Sequence, residues 1–403
     1  MSSLVPYAMV TGTVATLVQL YIIQLGGTVI DVGLTTTLGT AVSIPSVLFW
    51  GAISDRVKRR PLIVVSFAST AALLLLFLLT RSVFGVALVY ALYCFVSSAP
   101  TTPINLLILG TSTRARWASS YARYQLLATV GNTLGLLISS ILAVFVPLVF
   151  LVILLSGCSF VATGLAAKLI FEPVPPQDAD LQGPESTLPT GRGLSPKAGV
   201  GGILEILRAD FTGHVGVLYS SLLVFYVGTG LTLVVFVPFL HAHGISNSEI
   251  FGVSTVNLIV MGASFWYFGG RLRRESFVRN ATFCMILRAV TYAALAPAAY
   301  LLTGWEFYLA ALILTSVATG LVASPLYTIT TGMVYESLGT GGRGASLGIY
   351  SAVTGACIML GEFAAGYISF YSGYFVTLII AGACFGVSAL IISKLRSTPL
   401  ARG

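Results

Sequence analysis

Three ionisable side chains stand inside long apolar runs of this chain: Glu362, Arg288 and Arg123. A charge at the middle of a bilayer costs roughly 2.5–3.5 kcal/mol on insertion scales, so such residues pair, reach for the interface, or serve a function. Glu362 is the one carboxylate well inside a run, which makes it the first candidate to carry a coupled proton. Arg288 falls near the middle of its run and Arg123 nearer an end. The plainer alternative for each is a charge held by a helix end or a carbonyl. The same runs carry amide and phenol side chains at Gln19, Tyr93, Asn132, Tyr226, Asn257 and Tyr327. Together these groups bind rather than react. An anionic solute suits Arg123 or Arg288, and a cation suits Glu362.

Other chemistry finds little support. There is no phosphate-cradling glycine loop, no H-E-x-x-H and no G-x-S-x-G, so neither nucleotide hydrolysis nor nucleophilic catalysis is expected. Cys94, Cys158, Cys284, Cys357 and Cys384 lie singly in apolar runs without C-x-x-C spacing and read as small apolar residues. His241 and His243, with Glu249 nearby, read as a solvated loop rather than a metal site. The chain is expected to be no enzyme and to need no cofactor or metal.

The elements that must position these groups follow from bulk composition. Of 403 residues, 56% are hydrophobic and only 8% charged, and the mean hydropathy is +0.95. A soluble domain averages roughly 25% charged residues, so this is an integral membrane protein. The apolar runs are too long and too uniformly apolar for barrel strands, which leaves helices of the length that crosses a hydrocarbon core of about 30 Å. The first run begins without a basic leader or a small-residue cleavage site, so it is expected to remain as a span. With twelve spans and the N-terminus inside, all of the 21 Lys and Arg except Arg81, Arg123 and Arg288 fall on the cytoplasmic side. The net charge of +8 therefore reports orientation and not a nucleic-acid partner.

One loop carries a family resemblance. Gly51 to Ile63 reads G-A-I-S-D-R-V-K-R-R-P-L-I and joins two apolar runs. It resembles the loop between the second and third helices of the major facilitator superfamily, G-x-L-A-D-R-x-G-R-K-x-x-L. Gly51, Asp55, Arg56 and Arg59 match, Ile53, Ser54, Arg60 and Ile63 are close replacements, and Lys58 stands at the second glycine. The resemblance implies an all-α fold of twelve transmembrane helices in two pseudo-symmetric six-helix bundles. It also implies that Asp55 packs near the start of span eleven, Gly342 to Ser346, and that Gly51, Asp55, Arg56, Arg59, Arg60, Arg114 and Arg116 form an inner gate.

The chain also repeats itself. Gly26, Asp31 and Gly51 correspond to Gly244, Glu249 and Gly269 at a constant offset of 218, while Pro103 and Pro325 differ by 222 and Arg116 and Arg343 by 227. A duplicated six-span unit gives this pattern. The expected division is an N-terminal bundle at 1–171, a Pro- and Gly-rich cytoplasmic linker at 172–213 with an amphipathic piece at 203–208, a C-terminal bundle at 214–396 and a tail at 397–403. Spans one, four, five, seven, ten and eleven carry polar side chains; three, six and twelve are nearly bare. Prolines 100 and 103 are expected to bend span four, drawn as 84–109, and Gly131-x-x-x-Gly135 to admit a neighbouring helix closely.

The sequence thus predicts a multi-pass plasma-membrane protein with both termini cytoplasmic, monomeric, embedded in lipid and serving a small-molecule substrate. The expected activity is secondary active transport by alternating access, with proton-coupled efflux as its form. A facilitative uniporter and a membrane sensor that kept the fold without transport are the alternatives.

Overall fold

The computed structural model describes residues 3–54, 57–101, 103–104, 117–170, 213–268, 277–337 and 343–397. The linker 172–212, the amphipathic piece 203–208, the residues 398–403 of the tail and Asp55, Arg56, Arg114 and Arg116 lie outside them. The elements in order are α1 Leu4–Gln24, α2 Val29–Ser54, α3 Arg59–Phe77, α4 Val83–Ser97, α5 Trp117–Leu142, α6 Leu148–Leu169, α7 Gly213–Ala242, α8 Asn247–Phe268, α9 Phe277–Leu301, α10 Gly304–Thr315, a π segment Ser316–Leu321, α11 Ala323–Ser337 and α12 Arg343–Ser393. Among the described residues ten helical stretches are long and apolar enough to cross a membrane. The fold is all-α and multi-pass.

Two connections are built alike. At the end of α1, Gly26 takes φ 82°, and the Gly27 and Gly26 amides donate to the Ile22 and Ile23 carbonyls, both at 2.9 Å. At the end of α7, Gly244 takes φ 81°, and the Ile245 and Gly244 amides donate to Leu240 and His241, both at 3.1 Å. Each is a glycine-dependent Schellman turn, where a left-handed residue closes the last carbonyls. Each is followed by a capping box. Asp31 accepts from the Thr28 amide at 2.7 Å, and Glu249 accepts from the Ser246 amide at 2.8 Å. These are the positions related by the offset of 218.

Helices touch through small residues and buried hydroxyls. Gly131 and Gly135 let α5 lie on Val5, Ala8 and Met9 of α1, where a Cβ would overlap backbone. Ser156 and Ser159 of α6 donate to the Ala71 and Phe67 carbonyls of α3. Ser221 of α7 and Ser388 of α12 donate to each other's carbonyls at 2.9 and 2.8 Å. α12 bends at Gly373 (φ 88°, ψ 161°), which divides it into two arms.

Two expected spans differ from the drawn ones. Span four breaks after Ser97: a turn at 98–100 precedes helical backbone at 101 and 103–104, and residues 105–109 lie outside the described ones; Pro100 has no N–H to give, and the Ala99 amide donates to the Val96 carbonyl at 3.0 Å instead. The last carbonyls of α4 also accept from neighbouring helices. Phe95 accepts from Ser46 Oγ at 2.7 Å and Trp50 Nε1 at 2.8 Å, both from α2. Val96 accepts from Ser66 Oγ of α3 at 3.0 Å, and Ser97 from the Tyr7 hydroxyl of α1 at 3.2 Å. Span ten is interrupted by the π segment, where Gly320 packs on Val260 and the Asn257 carbonyl of α8.

Candidate functional site

α7 gathers four of the nine residues expected to touch substrate. Its Tyr226 is half-buried. Beside it, Arg288 of α9 is 7% exposed and its guanidinium sits over the rings of Phe225 (5.1 Å), Tyr292 (5.9 Å) and Phe385 of α12 (4.7 Å). The ring faces attract the cation in place of a carboxylate. Arg288 Nε has no hydrogen-bond partner. About one turn further along α7, Gly230 meets Gly361 and the Glu362 amide of α12 so closely that neither glycine has room for a Cβ. Glu362 is 5% exposed, faces Thr40 of α2, and leaves Oε2 without a partner. One turn beyond, the Leu233 carbonyl accepts from Gln19 Nε2 of α1 at 3.2 Å. Gln19 Oε1 is buried and unpartnered as well.

Buried polar atoms normally find partners, and an orphan costs about 1–3 kcal/mol. Three of them, a cation, a carboxyl and an amide oxygen, lie along successive turns of one helix. The arrangement can accept a solute that presents both donors and acceptors. Gly33 of α2 also packs on Gly366 and the Glu362 carbonyl of α12, so this junction joins helices from both ends of the chain.

The other expected residues stand elsewhere. Asn132 of α5 accepts from Thr11 of α1 at 3.4 Å and packs against Gly12. Asn257 of α8 accepts from Ser316 at 2.9 Å and Thr315 at 3.3 Å, which ties it to the π segment. Tyr93 is buried with its ring 6.0 Å from that of Tyr90. Tyr327 is 63% exposed. Arg123 is on α5, but its side chain is outside the described ones. Of the gate residues, Gly51 lies in the last turn of α2, and Arg60 donates to the Ala167 carbonyl of α6; Arg59 begins α3.

Sequence reading missed the aromatic box of Phe225, Tyr292 and Phe385, and it missed Tyr90, whose ring lies against Gly39 of α2. Phe225 and Phe385 give no signal by type, whereas Tyr292 and Tyr90 are phenols in apolar runs.

No curated protein sequence matches the chain. In overall shape it is similar to the solved structure of the nucleoside transporter NupG, with a TM-score of 0.74 at 12% identity over 98% of each chain. A point variant of that transporter gives 0.73 at 12% identity over 98% of this chain and 97% of the other. At that identity the likeness is one of fold. A sequence profile described as Major Facilitator Superfamily matches residues 1–331, and the chain belongs to the major facilitator superfamily.

Proposed function

We propose that this protein is a secondary active transporter that moves a small solute by alternating access and couples it to protons through Glu362. Twelve spans in two six-helix bundles, 1–171 and 214–396, carry the movement. The short α4 and the break at Gly373 support that count beside the ten long stretches, and the repeated turns at Gly26 and Gly244 support the duplication. The observation that carries the reading is the line of unpartnered buried atoms, Arg288 Nε, Glu362 Oε2 and Gln19 Oε1, along α7. Substrate binding would satisfy them and so shift the population between the two access states. Gln19, Tyr226, Arg288 and Glu362 form the first contact set; Tyr93, Arg123, Asn132, Asn257 and Tyr327 lie around it, and the basic residues of the loop after α2 act as the inner gate.

The test is a thermal-shift screen of nucleosides, sugars, organic anions and lipophilic cations, followed by flux of each hit in proteoliposomes with and without a pH gradient. Nucleosides enter because NupG, of the same fold, carries them. Accumulation driven by the gradient is expected in the unaltered protein. Glu362→Gln is expected to lose the drive while retaining substrate counterflow. Drive that persists in Glu362→Gln removes the proton role and favours the uniporter, and binding without any flux favours the sensor.

A further inference from the structure

A second site lies away from α7, at the end of the molecule where α8 stops and α9 begins. There Phe268 of α8, Asn280, Phe283 and Leu287 of α9, Leu321 of the π segment and Pro325 of α11 line a cleft of about 260 Å3. The widened turn of the π segment forms one wall. The cleft's surroundings are apolar and outward-facing: Trp266, Tyr267, Phe283 and Ile286 are all exposed. In a membrane-spanning chain such side chains meet acyl chains, and a cleft among them offers a place for one. Arg279, exposed in the first turn of α9, adjoins the lining residue Asn280 and stands one helical turn before the lining residue Phe283.

We propose that this cleft binds one anionic phospholipid, an acyl chain in the apolar part and the phosphate held by Arg279. Neither half of the site suffices alone. The cleft without the cation would take any lipid, and the cation without the cleft would attract only a diffuse layer of anionic headgroups. A polar solute finds too few partners here, because Asn280 is the main polar wall. Each basic residue near an anionic surface contributes about 1 kcal/mol, which sets the expected selectivity at about fivefold for Arg279.

The test uses the full chain, delipidated in detergent and titrated by native mass spectrometry with dioleoyl phosphatidylglycerol, dioleoyl phosphatidylcholine or glycerophosphoglycerol without chains. The first phosphatidylglycerol is expected to bind about fivefold or more tightly than phosphatidylcholine. Arg279→Gln should bring that ratio close to one, and Leu321→Trp, which fills the cleft from its wall, should weaken both lipids. Glycerophosphoglycerol should not compete. Equal binding of the two lipids, a preference that survives Arg279→Gln, indifference to Leu321→Trp, or competition by the headgroup alone would each overturn the proposal. A measurement without substitution in the site guards against misfolded variants. Phosphatidylglycerol with brominated chains should quench the component of fluorescence lost in Trp266→Phe, and unbrominated phosphatidylglycerol should relieve it better than phosphatidylcholine; equal relief by both overturns the assignment.

Discussion

At the scale of single residues, the buried cation defines what can be tested. Arg288 is surrounded by ring faces and meets no ion pair among the described residues, so its charge is available to an anionic group. Lysine is a poor replacement, since a compact ammonium neither stacks as the planar guanidinium does nor keeps its fork of donors. Arg288→Met preserves length and apolar packing and removes the charge. If the proposed site takes an anion, Arg288→Met should weaken that solute by about tenfold or more, as for loss of a hydrogen bond to a charged group, while leaving the melting temperature near its original value. Arg288→Lys should fall between. A melting temperature that drops sharply with unchanged solute affinity would make the residue structural. The sequence disclosed Arg288, Glu362 and Gln19 because a polar type inside an apolar run is conspicuous. It could not disclose Phe225 and Phe385, which look like any other core aromatic until the helices are packed.

At the scale of elements, α4 shows how a proline break is made tolerable in lipid. The carbonyls of Phe95, Val96 and Ser97, at the break before Pro100, accept from three neighbouring helices: from Ser46 with Trp50, from Ser66 and from Tyr7. Exposed backbone in hydrocarbon is expensive, so these side chains fix where α1, α2 and α3 sit around α4. Ser66→Ala should lower stability by about 0.6 kcal/mol, the average for buried polar contacts between membrane helices. In a Pro100→Ala background the amide of residue 100 can donate to the Val96 carbonyl in place of the tighter-turn bond from the Ala99 amide, and the Ser66→Ala penalty should shrink. A double-mutant cycle on thermal or denaturant unfolding measures this coupling; strictly additive effects would mean that Ser66 does not answer the proline. The bend was legible from Pro100 and Pro103. The residues that cap it were not, because serine, tryptophan and tyrosine are common in spans and only the three-dimensional neighbourhood assigns them a carbonyl. The π segment left no signal at all: Ser316–Leu321 contains no proline, and its widened turn goes with Gly320 packed on α8.

At the scale of the molecule, several contacts among the described residues between the stretches 3–170 and 213–397 lie toward the end that carries the Gly26 and Gly244 turns. Gln19 reaches Leu233, Gly33 lies on Gly366, and Ser140 of α5 and Ser248 of α8 donate to each other's carbonyls at 2.8 and 2.6 Å. The likeness of the two turns was readable in the offset of 218, since turn glycines and capping acids keep their types. Which helix before the linker meets which helix after it was not, because those contacts use glycines and serines that recur throughout the chain. In the proposed cycle this end must part for the solute to pass, and the serine pair is its most specific fastening. Ser140→Cys with Ser248→Cys places two thiols where the hydroxyls now face each other's backbone. Oxidised, the pair is expected to hold the repeats together and reduce flux to background while substrate still binds, and a reductant is expected to restore flux. Single variants should transport in both redox states. Undiminished flux through a fully cross-linked protein would mean that this end does not open, and the alternating movement would have to be sought elsewhere in the fold.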